Sequence, residues 1–197
     1  MCLKNRTKRR KQDTKNLYRS IGKFIVKFEQ ICFVIEQNLV FLIHGQGLQN
    51  QKVSQILLSG YTAEPLRSLY ESLVNELIPL DDIGTDIFKN GLVRFQKLIS
   101  HRNDIVHSTW FIGAGNKETQ DWSETSGMKT HRNKKGAAVK TFKKSANDFD
   151  QFADEAAALA NLFFRFNASL IARWDMKKNF IVDENGNYFV PKGTEQY

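Results

Sequence analysis

The chain has 197 residues, a formal net charge of +8 and a hydrophobic content of 41%. This length and composition indicate one globular domain with a sizeable core. Its two cysteines are too few for a disulfide framework, and we recognise neither a signal peptide nor an apolar run long enough to span a bilayer. We therefore expect a cytoplasmic protein without membrane association.

The N-terminal region combines a basic segment with a long helix. Residues 4–19 contain eight Lys or Arg and one acid, and we expect residues 1–14 to form a basic arm. Apolar residues then recur every three or four positions, which predicts a helix over residues 15–44 that ends at Gly45.

Three further helices are predicted before residue 107. A short helix covers residues 53–58, and a longer one begins after its N-cap Thr62 and ends before Pro79. The third covers residues 84–106, with Asn90-Gly91 as a candidate break. A stripe of residues at spacings of three and four, apolar except for Arg102, supports this helix. It consists of Phe88, Leu92, Phe95, Ile99, Arg102 and Val106.

The segment 108–144 differs from its surroundings because it is rich in Gly, Thr, Lys and Asn. Two short strand-like runs, Thr109–Ile112 and Ala138–Phe142, predict a small β excursion between helices. Residues 129–144 contain seven Lys or Arg and no acid. Since this segment and residues 4–19 each carry a net +7 while the whole chain carries +8, the remainder of the chain is net −6.

The C-terminal region is predicted to be a helix followed by a hairpin. Ser145 with Asp148 three residues later forms a capping-box pattern that opens the last long helix. Two apolar runs around Asn185-Gly186 predict a β-hairpin with a type I′ turn over residues 180–190. We expect a helical domain over residues 15–175, with 108–144 as an insertion, and a tail over 176–197.

The residues that best indicate a chemical function lie at the end of the predicted helix over residues 84–106. Arg102 occupies a stripe position where a core residue is expected, and a buried guanidinium requires a partner or a cleft. Asn103 and His107 are four residues apart, so the amide can orient the imidazole. In one ideal helix, however, Arg102 and His107 would point about 140° apart. A helix end or a second subunit is needed to bring them together.

This Arg-polar-x-x-x-His motif resembles the signature of the HEPN superfamily, over about residues 17–175. The resemblance implies an all-α fold, an antiparallel bundle of four or five helices, here with the β excursion at 108–144 and the C-terminal hairpin. It also implies a homodimer whose two motifs line one cleft, where RNA is cut without metal or other cofactor to give a 2′,3′-cyclic phosphate. His107 would transfer protons, Arg102 would stabilise negative charge, and Asn103 would orient the imidazole or bind phosphate.

The two basic segments are candidate RNA-binding surfaces because clustered Lys and Arg attract phosphate backbones without reading sequence. Solvated surface is the alternative interpretation of each segment. Two such segments flanking a candidate ribonuclease site favour RNA as the ligand. The candidate RNA-binding residues are Arg9, Arg10, Lys134, Lys135, Lys140, Lys143 and Lys144.

The motif residues also have structural interpretations. Arg102 can cap helix carbonyls or pair with an acid such as Glu64. His107 can bind a backbone group at the helix end, and Asn103 can be an ordinary surface residue. Trp110 and the neighbouring aromatic residues can stack on bases, but core packing is the simpler interpretation.

Two classes of function therefore remain open, besides a helical scaffold that would leave the segregated charge unexplained. The first is a HEPN-type endoribonuclease that acts as a toxin, an anti-phage defence effector or an RNA-processing enzyme, together with an antitoxin or regulatory partner. The second is a non-catalytic HEPN-like module that binds RNA or a protein partner such as a nucleotidyltransferase. An intact motif favours the first, because a binding module does not need an imidazole at position 107.

Overall fold

The computed structural model describes residues 2–112, 124–133 and 136–191. The described chain is mainly helical with a small antiparallel sheet, as the sequence predicts at this coarse level. The elements in chain order are α1 (Cys2–Gly45), α2 (Gln51–Leu58), α3 (Ala63–Leu77), α4 (Asp82–Val106), β1 (Thr109–Ile112), β2 (Glu124–Asn133), β3 (Gly136–Ser145), α5 (Ala146–Ala172), α6 (Met176–Asn179), β4 (Ile181–Val182) and β5 (Tyr188–Phe189).

Ser145 caps its helix as predicted, whereas Thr62 lies at the predicted N-cap position of α3 without a side-chain capping hydrogen bond, and the cap of α2 was not predicted. Asn50 caps α2 by accepting hydrogen bonds from the backbone N–H groups of Lys52 and Val53. At the start of α5, Ser145 and Asp148 form the predicted reciprocal pair, with 2.7 Å from the Ser145 backbone nitrogen to Asp148 Oδ2 and 3.3 Å from the Asp148 nitrogen to Ser145 Oγ. The start of α1 also differs from the prediction, since this helix begins at Cys2 and already includes most of the expected arm.

The chain folds as two compact units. Unit 1 contains residues 1–27 and 100–154, and unit 2 contains residues 28–99 and 155–197. Helices α1, α4 and α5 contribute residues to both units. Across the described residues, no helix combines the length and the apolar character that crossing a membrane requires.

Unit 2 has an aromatic core organised around Tyr70. Its ring meets Phe88 and Phe163 edge-on, with centroids 5.3 and 5.9 Å away. The hydroxyl accepts a hydrogen bond from the buried Asn38 amide at 3.1 Å, and the same amide donates to the Phe163 carbonyl at 3.2 Å. Burial raises the pKa of the Tyr70 hydroxyl, which therefore stays neutral. This polar pair is satisfied inside the core.

Gly91 lies inside α4, which runs through the predicted break without interruption. A Cβ added at this position would lie 3.0 Å from Leu162 Cδ2 and 3.1 Å from Phe163 Cε1. The glycine is therefore explained by the close approach of α5 in unit 2, and the helix tolerates its low propensity because packing compensates for it.

A second feature of unit 2 is the buried Arg94 of α4, which joins α5 and the C-terminal hairpin. Its guanidinium binds both carboxylate oxygens of Glu155, at 2.7 and 2.9 Å, and donates to the Tyr188 carbonyl at 2.6 Å. Its planar group also lies 4.4 Å from the centroid of the Phe189 ring. Such bidentate and stacked geometry is specific to arginine.

The predicted C-terminal hairpin is present, but its turn is not of type I′. Val182 pairs with Tyr188, and the Asp183 nitrogen donates to the Asn187 carbonyl at 2.9 Å, which leaves three residues in the loop. A type I′ turn requires positive φ at both central residues, whereas Gly186 has φ +77° and Asn185 has no positive φ. The Asp183 carboxylate accepts from the nitrogens of Asn185 and Asn187, and these bonds favour the longer loop.

Unit 1 contains the antiparallel sheet β1-β2-β3. The strand β2 was not predicted, because its sequence is polar and interrupted by Gly127. In the observed register Gly127 lies opposite both Trp110 and Phe142. A Cβ at Gly127 would overlap the Phe142 ring, so the missing side chain lets Trp110 and Phe142 meet edge-on, with centroids 5.2 Å apart. The glycine thus shapes the face of the sheet that carries these two rings.

Candidate functional site

The three predicted motif residues lie together at the C-terminal end of α4 in unit 1. Arg102 and Asn103 are half-buried, and Arg102 Nη1 donates to Asn103 Oδ1 at 3.4 Å. The Asn103 carbonyl accepts a hydrogen bond from the His107 backbone nitrogen at 3.1 Å, and the His107 side chain is exposed just beyond the last helical residue. The motif is therefore accessible at a helix end.

The predicted stripe of α4 is correct up to Ile99 and wrong beyond it. Val106 is 47% exposed, whereas Ile105 is 7% exposed and is the core residue of this last turn. The stripe shifts by one residue because Trp110 Nε1 donates to the Ile105 carbonyl at 2.8 Å and holds this end of the helix against the sheet. Arg102 consequently lies at the edge of the buried face.

A second cluster of charged side chains lies close by on α4, around Asp104. Lys129 of β2 and Lys140 of β3 are direct partners in the sheet, and both bind the Asp104 carboxylate, with nitrogen–oxygen distances of 3.3 and 2.5 Å. His101 lies three residues before Asp104, and its ring stacks on Phe152 with centroids 4.3 Å apart. One carboxylate of α4 therefore joins the helix to two strands.

The two titratable groups of this cluster have shifted pKa values. Burial raises the pKa of Asp104, but the hydrogen bonds and charges of Lys140 and Lys129 outweigh it and lower the pKa below its usual range. Burial lowers the pKa of His101, and the nearby Lys144 and Lys140 lower it further, against the opposing charge of Asp104. At neutral pH this site therefore holds an ionised carboxylate and an uncharged imidazole.

A cavity of about 200 Å³ lies beside this cluster within unit 1. It is called the His101 pocket below. The alternation of side chains along β3 places Lys140, Phe142 and Lys144 on one face of the sheet, and helices α4 and α5 supply the remaining walls. The pocket is lined by His101, Asp104, Ile105, Lys140, Phe142, Lys144 and Phe152.

The predicted RNA-binding lysines are divided between two faces of β3. Lys140 and Lys144 lie at the pocket, and the Lys144 ammonium is 5.0 Å from the centroid of the Phe152 ring. Lys143 lies on the opposite face by strand alternation. The other candidates fall outside what the structure describes, since Lys134 and Lys135 lie between the described ranges and only the backbone of Arg9 and Arg10 is described.

Unit 1 also has an apolar groove next to the motif, with a volume of about 260 Å³. Val106 lines it immediately before His107, and Tyr18 of α1 contributes a largely exposed ring. Trp110 lines it as well and packs against Phe149, with centroids 5.6 Å apart, which agrees with the packing interpretation of this residue. The groove places exposed apolar surface beside the motif.

Among the described residues, no group of three or more His, Cys, Asp or Glu side chains is placed to hold a metal ion. No family model matches the chain, and no curated protein or solved structure matches it either.

The sequence interpretation did not single out His101, Asp104 and Lys129. Spacing could have indicated the first two, because residues three apart on a helix share a face. Lys129 becomes a partner only through the pairing of β2 with β3, which no local pattern predicts.

Proposed function

We propose that this protein is an endoribonuclease of the HEPN type that cuts RNA at the C-terminal end of α4 without requiring a metal ion. The observation that carries the proposal is the arrangement of Arg102, Asn103 and His107 at an accessible helix end. The motif resemblance supplies the reaction, and the segregated basic charge supplies the attraction for RNA.

In this proposal His107 is the acid–base group. The imidazole takes the proton of a ribose 2′-hydroxyl as the 2′-oxygen attacks the adjacent phosphorus, and the bond from phosphorus to the 5′-oxygen breaks. The departing 5′-oxygen receives a proton, which leaves a 2′,3′-cyclic phosphate and a 5′-hydroxyl. Arg102 stabilises the negative charge that develops on the phosphorus oxygens, and its permanently charged planar group suits this role.

The proposal includes a two-fold dimer with both motifs in one cleft. Within the described part of the chain, the Asn103 side-chain oxygen accepts from Arg102, and the His107 ring has no hydrogen-bond partner. A second subunit would supply the missing groups around the imidazole. The exposed apolar surface of Val106 and the adjoining groove supports such self-association.

The test is incubation of the purified protein with total RNA and with defined oligonucleotides in EDTA. His107→Ala should lower the cleavage rate by about 10²–10⁴, the usual contribution of an acid–base group. His44→Ala is the matched control, because His44 is also an exposed histidine but lies in unit 2. Products should carry a 2′,3′-cyclic phosphate, which a mass spectrum of the fragments detects.

The non-catalytic module is the second candidate, and the orientation of Asn103 toward Arg102 instead of the imidazole favours it. A folded, dimeric protein that binds RNA and leaves every substrate intact, or whose cleavage persists in His107→Ala, would contradict the catalytic proposal. In the first case the module interpretation, with RNA or a nucleotidyltransferase-like protein as partner, would replace it.

A further inference from the structure

We propose that the His101 pocket binds a small anion that carries a flat ring, of the class of aromatic carboxylates and aryl phosphates. This inference does not depend on the proposed ribonuclease activity, because neither Arg102 nor His107 lines the pocket. The ligand's acidic group would bind the lysines of β3, and its ring would lie against the apolar walls.

The charged groups around the His101 pocket favour a negatively charged ligand. The pocket is lined by two ammonium groups, those of Lys140 and Lys144, and by one carboxylate, that of Asp104, which also binds Lys129 from outside the lining. The carboxylate of Asp148 on α5 interacts with the charge of Lys144, and even with this second carboxylate the positive groups outnumber the negative ones. The imidazole of His101 adds no negative charge. An excess of positive charge around a half-enclosed, largely apolar cavity favours an anion, because low-dielectric walls strengthen its attraction.

The apolar lining and the small volume of the cavity favour a ligand with a single ring. Besides its charged groups the pocket is lined by Ile105, Phe142 and Phe152, so a bare inorganic ion would leave apolar walls uncovered. Its volume of about 200 Å³ is smaller than the usual range of pockets for drug-sized ligands, which begins at about 300 Å³. A single ring with one acidic group fits this size.

The lysines are also held in position before any ligand binds. Lys140 bonds to Asp104 at 2.5 Å and lies 5.9 Å from the centroid of the Phe142 ring, while Lys144 lies over the Phe152 ring. Lys140 is about half exposed, so an incoming acidic group can reach it from solvent. Positioned cations reduce the conformational entropy that binding would cost.

The experiment uses the full-length protein and four probes in calorimetry and in isotope-filtered NOE spectroscopy of the labelled, assigned protein. Benzoate and phenyl phosphate represent the two acidic groups on a flat ring, inorganic phosphate lacks the ring, and cyclohexanecarboxylate lacks its flatness. We expect one or both aromatic anions to bind at least tenfold more tightly than inorganic phosphate, with ring-to-protein NOEs at Phe152 and Ile105. Cyclohexanecarboxylate should bind more weakly than benzoate, because its puckered ring packs less well against the aromatic walls.

Variants then locate the site. Lys144→Gln and Lys140→Gln should each weaken binding of the better aromatic anion about tenfold or more, as expected when a charge-assisted hydrogen bond is removed. Lys177→Gln, which removes the same charge from α6 in unit 2, should leave the affinity unchanged. Circular dichroism melting checks that each variant is folded.

Three results would overturn the proposal. They are the absence of binding of either aromatic anion to the folded wild-type protein at millimolar concentration, an affinity for inorganic phosphate that equals that for the better of the two aromatic anions, and NOEs confined to residues outside the pocket. The NOE measurement needs no variant, so the proposal stays falsifiable even if a lysine substitution unfolds the protein.

Discussion

At the scale of single residues, His101 is a histidine whose pKa the fold lowers. Its ring is stacked on Phe152 and lies near Lys140 and Lys144, and burial together with these cations lowers its pKa. An uncharged imidazole is thus favoured by the fold, whereas in the unfolded chain His101 titrates near its ordinary pKa of about 6.5.

This difference predicts how stability depends on pH. Below pH 6.5 the unfolded chain takes up a proton at His101 before the folded protein does, so the free energy of unfolding should fall as pH decreases from about 6.5 to 5. His101→Phe keeps a ring on Phe152 and should flatten this dependence. Urea titrations at pH 7, 6 and 5 measure it, with His44→Phe as the control. An unchanged slope in His101→Phe would show that other groups cause the effect.

For single residues, the sequence predicted where the motif lies in the chain's secondary structure, but it did not predict which side chains contact the motif. That Arg102, Asn103 and His107 lie at a helix end follows from apolar periodicity and from the end of that pattern, and the structure agrees. That Asn103 binds Arg102 depends on rotamers, which spacing does not encode. The charge cluster at Asp104 depends on strand pairing, which local sequence patterns do not predict either.

At the scale of elements, Arg94 of α4 is a buried arginine with a bidentate carboxylate partner. Because its guanidinium joins α4, α5 and the hairpin of unit 2, Arg94→Met should lower the free energy of unfolding by about 2–3 kcal/mol. The expected loss is smaller than the loss of about 3–5 kcal/mol for breaking a fully buried ion pair. The reason is that the Glu155 side chain is 34% exposed and regains some hydration when Arg94 is removed.

Chemical denaturation measures this effect. Lys178→Met removes an exposed ion pair with a nitrogen–oxygen distance of 3.9 Å and should change stability by less than about 0.5 kcal/mol. If the two variants were equally stable, the hydrogen bonds of Arg94 would be no more important to the fold than those of a surface pair.

The elements themselves were predictable to different degrees. The long helices were, apart from the start of α1, because their apolar periods and capping residues are local signals, and the Ser145–Asp148 pair is a clear example. The short helix α6 was not predicted. The strand β2 was not, because its residues become a strand only by pairing with β1 and β3 on either side. The turn at Asn185-Gly186 was predicted as the wrong type, since the side chain of Asp183 selects a longer loop.

At the scale of the whole molecule, the first expectation is a dimer. Light scattering at micromolar concentration should give about twice the chain mass of 22.7 kDa. Val106→Asp replaces an exposed apolar residue beside the motif, so it should leave the monomer folded, weaken self-association and lower the cleavage rate. A wild-type protein that is monomeric yet fully active would contradict the shared cleft.

The second expectation concerns RNA affinity, which should be electrostatic. Neutralising Lys134, Lys135 and Lys143 together should weaken binding and reduce the salt slope by about 0.7 for each phosphate that is no longer neutralised on single-stranded RNA. Filter binding at several salt concentrations measures this slope, and the double variant Lys177→Gln with Lys178→Gln serves as the control. Affinity that is insensitive to both salt and these changes would identify the basic segments as ordinary solvated surface.

Trp110 gives the junction between the sheet and α4 an optical signal of its own. Its indole N–H donates to the Ile105 carbonyl, and its ring lies edge-on to Phe142 across Gly127. A tryptophan fixed in this way has a rigid, asymmetric environment, which produces near-ultraviolet circular dichroism and sets its fluorescence emission. Comparing wild-type spectra with those of Trp110→Phe isolates this chromophore, so detachment of the sheet from the helix that carries the motif can be followed in real time.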